Sequence, residues 1–324
     1  MRAIVCEAFG GPEGLVWREV ADPAPPGPEE IRLRILARGV QYVDVLMLAG
    51  QYQFRPLPPF IPGSEAAGEV ISIGAGVEGF KPGDKVMARL RLGAFGEIAN
   101  ARAEDCDLLP AALGLEEGAV LRAVYMTAYH ALLDRGRLKK GESVLIHGAA
   151  GGIGLAAVHL AKLFGARVIA TASSEEKRAI VLAEGADEAI AYAGGFRERV
   201  LELSGGRGVD IVYDPIGGAV SEESLRSLAW GGRLLILGFL GGGPAQIRSN
   251  YLLIKGIEAV GVRMGGFYEN EPEHAAANAK ALLSLAAEGK IKPRISFSVP
   301  LARAAEAFAA LIERRVTGKA VVVG

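Results

Sequence analysis

The segment Ser143-Val-Leu-Ile146 runs directly into His147-Gly-Ala-Ala-Gly-Gly-Ile-Gly154, and an apolar-periodic stretch continues from about Ile153 to Phe164. A short apolar run ending in glycines reads as a buried parallel strand, and the 3.6-residue periodicity beyond it reads as a helix. A strand, a glycine turn and a helix in that order are the building unit of a parallel α/β sheet, so this stretch limits the fold more than any other. Gly151 lets the backbone approach a bound group, and Gly154 lets the helix pack close to the strand. The helix start adds free N–H groups and a positive dipole end, which suit a phosphate. In the G-x-G-x-x-G pattern the first glycine is Ala149 here. A plain tight βα connection is the alternative, but the strand-turn-helix context favours a dinucleotide site formed by Ala149, Gly151, Gly152, Ile153 and Gly154.

The next strand, Arg167 to Thr171, ends in Ala-Ser173-Ser174-Glu-Glu-Lys177-Arg178. An NAD-type site carries Asp or Glu at this tip, about 20 residues past the glycines, to hold the ribose 2′-hydroxyl. Hydroxyls followed by a cation suit a 2′-phosphate instead, so NADPH is the expected cofactor. Ser174 equally suits the N-cap of a helix starting at Glu175, and both roles can coexist. Glu175 and Glu176 would repel a phosphate if they pointed inward.

The 324 residues allow two domains with separate cores. A net charge of −1 without blocks of like charge argues against nucleic acid and anionic membrane as partners. No apolar run is long enough to span a membrane, and Glu7 comes too early for a secretory signal, so a cytoplasmic protein is expected. Two cysteines, Cys6 and Cys106, are too few for a disulfide framework or a four-cysteine zinc site, and each reads as a small buried apolar side chain.

The first hundred residues read as β-rich. In Ile31-Arg-Leu-Arg-Ile-Leu-Ala-Arg38 the apolar residues Ile31, Leu33, Ile35 and Ala37 alternate with a face carrying the three arginines, a half-buried antiparallel strand. Gly68 to Ile73 and Lys85 to Ala88 are further strands, the second entered through a Lys81-Pro-Gly-Asp84 turn. Longer helices begin near Leu115. Strands and helices then alternate between Ser143 and Gly261, with strands at Asp210 to Tyr213, Arg233 to Leu237 and Ile257 to Val262. A helix over about Glu273 to Glu288 follows, and Lys319 to Val323 is a last strand expected to return to the first domain.

Across nearly its whole length the chain resembles the zinc-free quinone oxidoreductase branch of the medium-chain dehydrogenase/reductase superfamily. The residues that carry the resemblance are Gly39-Val-Gln-Tyr-Val-Asp44, Pro62-Gly-Ser-Glu-Ala-Ala-Gly68, Phe80-Lys-Pro-Gly-Asp-Lys-Val86, Met126-Thr-Ala-Tyr129, Gly148 to Gly154, Tyr213-Asp-Pro-Ile-Gly-Gly218 and Thr317-Gly-Lys319. The resemblance implies an α/β protein. Residues 1–123 and 264–324 would form a GroES-like β-barrel catalytic domain, and residues 124–263 a doubly wound Rossmann domain for NADP. Zinc-dependent members of the superfamily would have a cysteine near Val40 and a histidine in a Gly-His-Glu unit, where this chain has Gly63-Ser-Glu65. A catalytic zinc needs three protein ligands, so no metal is expected.

The resemblance also implies site residues. Thr127 would contact the nicotinamide end, although it equally suits a helix cap. Lys177 would hold the 2′-phosphate. Tyr192 would line the adenosine pocket, although a tyrosine at a strand end is often only amphipathic packing. Gly238, Phe239 and Asn250 would border the cofactor, with Asn250 also fit to satisfy turn backbone. Arg315 would touch the cofactor or be a solvated helix end. Gln41, where the family commonly has asparagine, and Tyr52 would sit at the acceptor end, with Tyr42 a third candidate. The expected reaction is hydride transfer from NADPH to a quinone. An enone or enoyl-thioester reductase and a non-catalytic NADPH sensor are the alternatives. The family also implies a homodimer joined through an edge strand such as Ile257 to Val262.

Overall fold

The structure is a computed structural model that describes residues 1–192 and 194–324. Its contacts divide it into two compact units, Met1–Ala123 with Ala286–Gly324, and Val124–Leu285. The fold is α/β, with one mainly antiparallel unit and one parallel-sheet unit.

The first unit holds β1 (Arg2–Cys6), β2 (Leu15–Glu19), β3 (Glu30–Gly39), β4 (Glu65–Ile73), β5 (Lys85–Arg89), β6 (Ile98–Arg102) and β7 (Cys106–Leu108). The second holds β8 (Ser143–Ile146), β9 (Arg167–Thr171), β10 (Glu188–Ile190), β11 (Val209–Asp214), β12 (Leu228–Ile236) and β13 (Glu258–Gly261). The chain then gives β14 (Ile295–Pro300) and β15 (Lys319–Val323) back to the first unit. There the sheet order is β14-β15-β3-β4-β5-β7, with β6 also paired to β3. As expected, the last strand returns to the first sheet, with Val321 opposite Gly39.

β3 buries Ile31, Leu33, Ile35 and Ala37, as its alternation predicts. Ile31, Leu33 and Ile35 pack with Phe95 and Phe308, whose ring centroids lie 5.2 Å apart, while Ala37 packs with Ala67, Val120 and Val321. Full burial of each such aliphatic side chain contributes about 1.5–3 kcal/mol. Arg38 departs from the expected exposed face, because it is completely buried. The register of β3 against β4 shifts between Ile35 and Ala37, and this bulge breaks the alternation. Four carbonyls then take up the guanidinium: Ala94 (3.0 Å), Gly96 (2.8 Å), Ile35 (3.2 Å) and Gly324 (2.6 Å). Burial pulls its pKa down to about 10, so it stays cationic at neutral pH.

In the second unit the parallel sheet runs β10-β9-β8-β11-β12-β13. Its order reverses beside β8, and ligands of such sheets bind at the carboxyl ends of the strands around that switch point. The four residues of β8 are the expected ones, and the helix after them spans Gly152–Leu163. Leu145, Ile169, Val212 and Leu234 form the sheet side of a core that Phe196 and Leu225 cover.

Candidate functional site

The glycine turn after β8 is pinned by main-chain bonds. The His147 N–H donates to Tyr213 O (3.0 Å), the Ala149 N–H to Thr171 O (3.1 Å) and the Gly151 N–H to Gly148 O (3.0 Å). A side chain at Gly154 would put its Cβ 2.7 Å from Ala149 Cα, so only glycine lets the helix sit this close. A Cβ at Gly151 would lie 3.4 Å from Gly148 O, inside the cradle. The first-turn N–H groups of Gly152, Ile153 and Gly154 have no acceptor within the helix. No acidic residue lies in that first turn. Amides and a positive helix end whose first turn carries no acidic side chain suit an anionic diphosphate. The Tyr192 hydroxyl accepts the Gly148 N–H, and the buried Tyr213 hydroxyl donates to Ile153 O at 3.3 Å.

Beneath the turn lies a polar arrangement that the sequence reading missed. His147 is completely buried, with Nδ1 2.9 Å from Thr171 Oγ1 and Nε2 2.8 Å from Ser224 Oγ. The Ser224 hydroxyl already donates to Val220 O at 2.7 Å, so it accepts from His147 and the proton sits on Nε2. Nδ1 then accepts from the Thr171 hydroxyl, whose other candidate acceptor, Ile146 O, is at 3.5 Å. Burial holds the ring well below the ordinary histidine range, so it stays neutral. The Tyr192 and Phe196 rings flank it, with centroids at 5.8 and 4.8 Å. His147 thus ties the tips of β8 and β9 to the helix Gly218–Ser227.

Several other expected cofactor residues follow strand ends of the same sheet, whereas Asn250 and Thr127 lie within helices. Ser173 and Ser174 are exposed beyond β9. Ser174 caps the helix Glu175–Ala183 by accepting the Lys177 N–H at 3.2 Å, the helix-capping reading of that residue. Lys177 is half-buried, and Glu175 and Glu176 are exposed. Tyr192 follows β10, while Gly238 and the half-exposed Phe239 follow β12. Asn250 is exposed in the helix Ser249–Lys255, and Thr127 is half-buried in the helix Leu115–Tyr129.

The first unit carries a cluster of a different kind. Glu65 opens β4, Lys319 opens β15, and both are almost fully buried. Lys319 Nζ lies 3.3 Å from Glu65 Oε1 and donates to Val40 O at 2.9 Å. Gln41 Nε2 donates to the same Glu65 oxygen. A Cβ on Gly39 would come within 2.7 Å of Ala119 O and would overlap the Glu65 carboxylate, so the glycine makes room for the acid. Asp44, fully buried, accepts the Gln41 N–H at 3.0 Å, and burial pushes its carboxyl up to about 7. Burial also raises Glu65, while Lys319 opposes that rise. Gln41 is therefore the half-exposed edge of a buried group of charged residues.

Tyr52 is half-buried, and its carbonyl accepts from Arg55 Nε at 3.2 Å. Tyr42 is exposed. Arg315 is exposed, paired with Glu313 at 2.6 Å and lying over the Phe297 ring. Asp44, Glu65 and Lys319 all fall in segments that carry the family resemblance, but no sequence signal gave them a role. Charged residues bracketed by apolar ones were the available hint.

Two family models match the chain: "Alcohol dehydrogenase GroES-like domain" over residues 27–135 and "Zinc-binding dehydrogenase" over residues 152–281. The residues at hand do not fit zinc. Val40 is a buried apolar side chain, and the Glu65 carboxylate is committed to Lys319 and Gln41. Among the described residues no group of three His, Cys, Asp or Glu side chains is placed to hold a metal. Quinone oxidoreductase-like protein 2 of Mus musculus is 37% identical over 320 residues, covering 98% of this chain and 91% of its own. Quinone oxidoreductase of Pseudomonas aeruginosa is 37% identical over 318 residues, covering 98% and 97%. The crystal structure of Escherichia coli quinone oxidoreductase complexed with NADPH superposes with a TM-score of 0.91 at 32% identity, over all of both chains. Fold and sequence together define a GroES-like plus Rossmann oxidoreductase of the medium-chain dehydrogenase/reductase class. Within that class, the chain belongs to the quinone oxidoreductase family.

Proposed function

We propose that this protein is an NADPH-dependent reductase that delivers hydride to a quinone without a metal. The observation that carries the reading is the β9 tip, where Ser173, Ser174 and Lys177 stand in place of the carboxylate that would favour NADH. The NADPH held by the Escherichia coli relative supports the same cofactor. When bound, NADPH supplies the hydride from its nicotinamide ring.

The protein's residues bind and orient. Amides of Gly152, Ile153 and Gly154 hold the diphosphate, with Gly151 giving it room and Ala149 behind them. Lys177 and the two serines hold the 2′-phosphate. Tyr192, Gly238, Phe239, Asn250 and Arg315 contact the rest of the cofactor, and Thr127 orients the nicotinamide. At the acceptor end, Gln41 and Tyr52 offer hydrogen bonds to the oxygen on which charge develops. The acceptor takes up its proton from water.

We also propose a homodimer built on the parallel sheet. β13 is an edge strand that pairs only with β12 among the described residues, and Trp230, Leu253 and Ile254 stand exposed in the same unit. Such an edge needs covering. Sedimentation at micromolar concentration is expected to give twice the chain mass, and a monomer would remove the dimer. The cysteines are free and buried, as suits a cytoplasmic protein, and no helix among the described residues is long and apolar enough to cross a membrane.

The test is oxidation of NADPH and NADH by the purified protein with a panel of quinones, enones and enoyl thioesters. NADPH-preferring turnover with quinones is expected. Turnover only with enones or thioesters would replace the quinone by a carbon–carbon double bond. Cofactor binding without turnover on any acceptor would favour a sensor.

A further inference from the structure

The acceptor end proposed above rests on Gln41, a side chain long enough to adopt many conformers. A free glutamine amide loses rotamer freedom when a ligand fixes it. Here it is already fixed. Its Nε2 donates to Glu65 Oε1, its own N–H donates to Asp44 Oδ2, and its residue opens the helix Tyr42–Leu48. Glu65 is immobilised in turn by the buried Lys319 ammonium at 3.3 Å. Lys319 is itself anchored on Val40 O, the residue before Gln41. The chain of contacts closes on itself around one half-exposed amide.

We propose that Glu65, held by Lys319, is a positioning residue that sets the Gln41 carboxamide toward the acceptor. This rests on the acceptor-end reading of Gln41 and extends it. One Nε2 hydrogen is spent on Glu65, and the side-chain oxygen faces the Asp44 N–H in the capping box of the same helix. The second Nε2 hydrogen remains for an acceptor carbonyl. Because the amide is held before the acceptor arrives, little ordering is left to pay at the moment of reaction. The arrangement also selects its ligand. A neutral carbonyl compound meets an aimed N–H donor, whereas an acceptor carrying an anionic group at this spot would approach the buried Glu65 carboxylate.

Glutamine occurs four times in the chain, at 41, 51, 53 and 246, so side-chain ¹⁵N labelling of glutamine gives a short spectrum. Gln41→Ala assigns its resonance pair. In the wild type one Gln41 amide proton is expected to resonate downfield and exchange slowly. In the double variant Glu65→Leu with Lys319→Met, which removes both buried charges together, that proton should return to the ordinary position while the other three glutamines stay put. Glu65→Gln keeps an acceptor oxygen and should largely retain the shifted proton, and it serves as the second variant if the double one folds poorly. Kinetically, the double variant is expected to lose about 10- to 100-fold in kcat/KM for the acceptor. KM for NADPH should stay within about twofold, and Glu65→Gln should recover most of the loss. In a Gln41→Ala background the double variant should add no further loss.

An unshifted, freely exchanging Gln41 amide in the wild type overturns the proposal, as do losses that add fully to those of Gln41→Ala. If the wild type turns over no carbonyl acceptor, the acceptor-end reading fails instead. The resonance then still decides whether Glu65 holds Gln41.

Discussion

Each unit buries a polar cluster beneath a candidate binding surface, and the two are built on opposite principles. Under the glycine turn, His147 is neutral and every polar atom of the ring meets a hydroxyl. In the first unit, Asp44, Glu65 and Lys319 bring ionisable groups into a space where burial raises both acids. A neutral hydrogen-bonded cluster costs little to bury when it is satisfied. A charged one depends on each partner being present. The first suits a part that must hold one shape, and the second suits a part that must aim a side chain.

The largest effect should come from removing the cation alone. Lys319→Met leaves the Glu65 carboxylate buried without its ammonium and is expected to cost about 3–5 kcal/mol in urea unfolding. A loss below about 1 kcal/mol would mean that Glu65 is protonated or hydrated.

The next effect is on pH dependence. Asp44 has a folded pKa of about 7, above the roughly 3.9 of an unfolded aspartate. Between those values the folded chain keeps a proton that the unfolded chain has lost. The stabilisation is full below about pH 4 and is lost as pH rises through about 7, with a slope of at most about 1.4 kcal/mol per pH unit. Asp44→Asn should flatten that slope. An unchanged slope would take the effect away from Asp44. The neutral cluster has the opposite sign. His147 lies below its unfolded value of roughly 6.5, so its contribution is present above that pH and is lost on acidification.

His147→Leu removes the acceptor of the Thr171 hydroxyl and the donor to Ser224, which keeps its bond to Val220 O, and should cost about 1–3 kcal/mol at pH 7. It should also weaken cofactor binding, which calorimetry would read. Unchanged cofactor affinity would limit His147 to fold stability. The smallest effect is Ser174→Ala, about 1 kcal/mol for the lost cap on the helix Glu175–Ala183.

The parallel-sheet unit was far more legible in the sequence than the polar cluster of the first unit. β8, β9 and the cap at Ser174 were readable because local rules fix them: apolar periodicity, a glycine turn and a hydroxyl before Glu175. Long-range partners are not local. Lys319 meets Glu65 from the far end of the chain, and Arg38 turns inward only because a bulge and four distant carbonyls receive it. His147 was visible as a histidine, but Thr171 and Ser224 join it only through the parallel sheet and the helix above.

Equilibrium titration of NADPH and NADH into the wild type and Lys177→Ala decides whether the β9 tip holds a 2′-phosphate. NADPH is expected to bind more tightly, and the loss in Lys177→Ala should fall on NADPH and leave NADH nearly unchanged. Equal affinity for the two cofactors, or an equal loss for both in the variant, would contradict a 2′-phosphate site there.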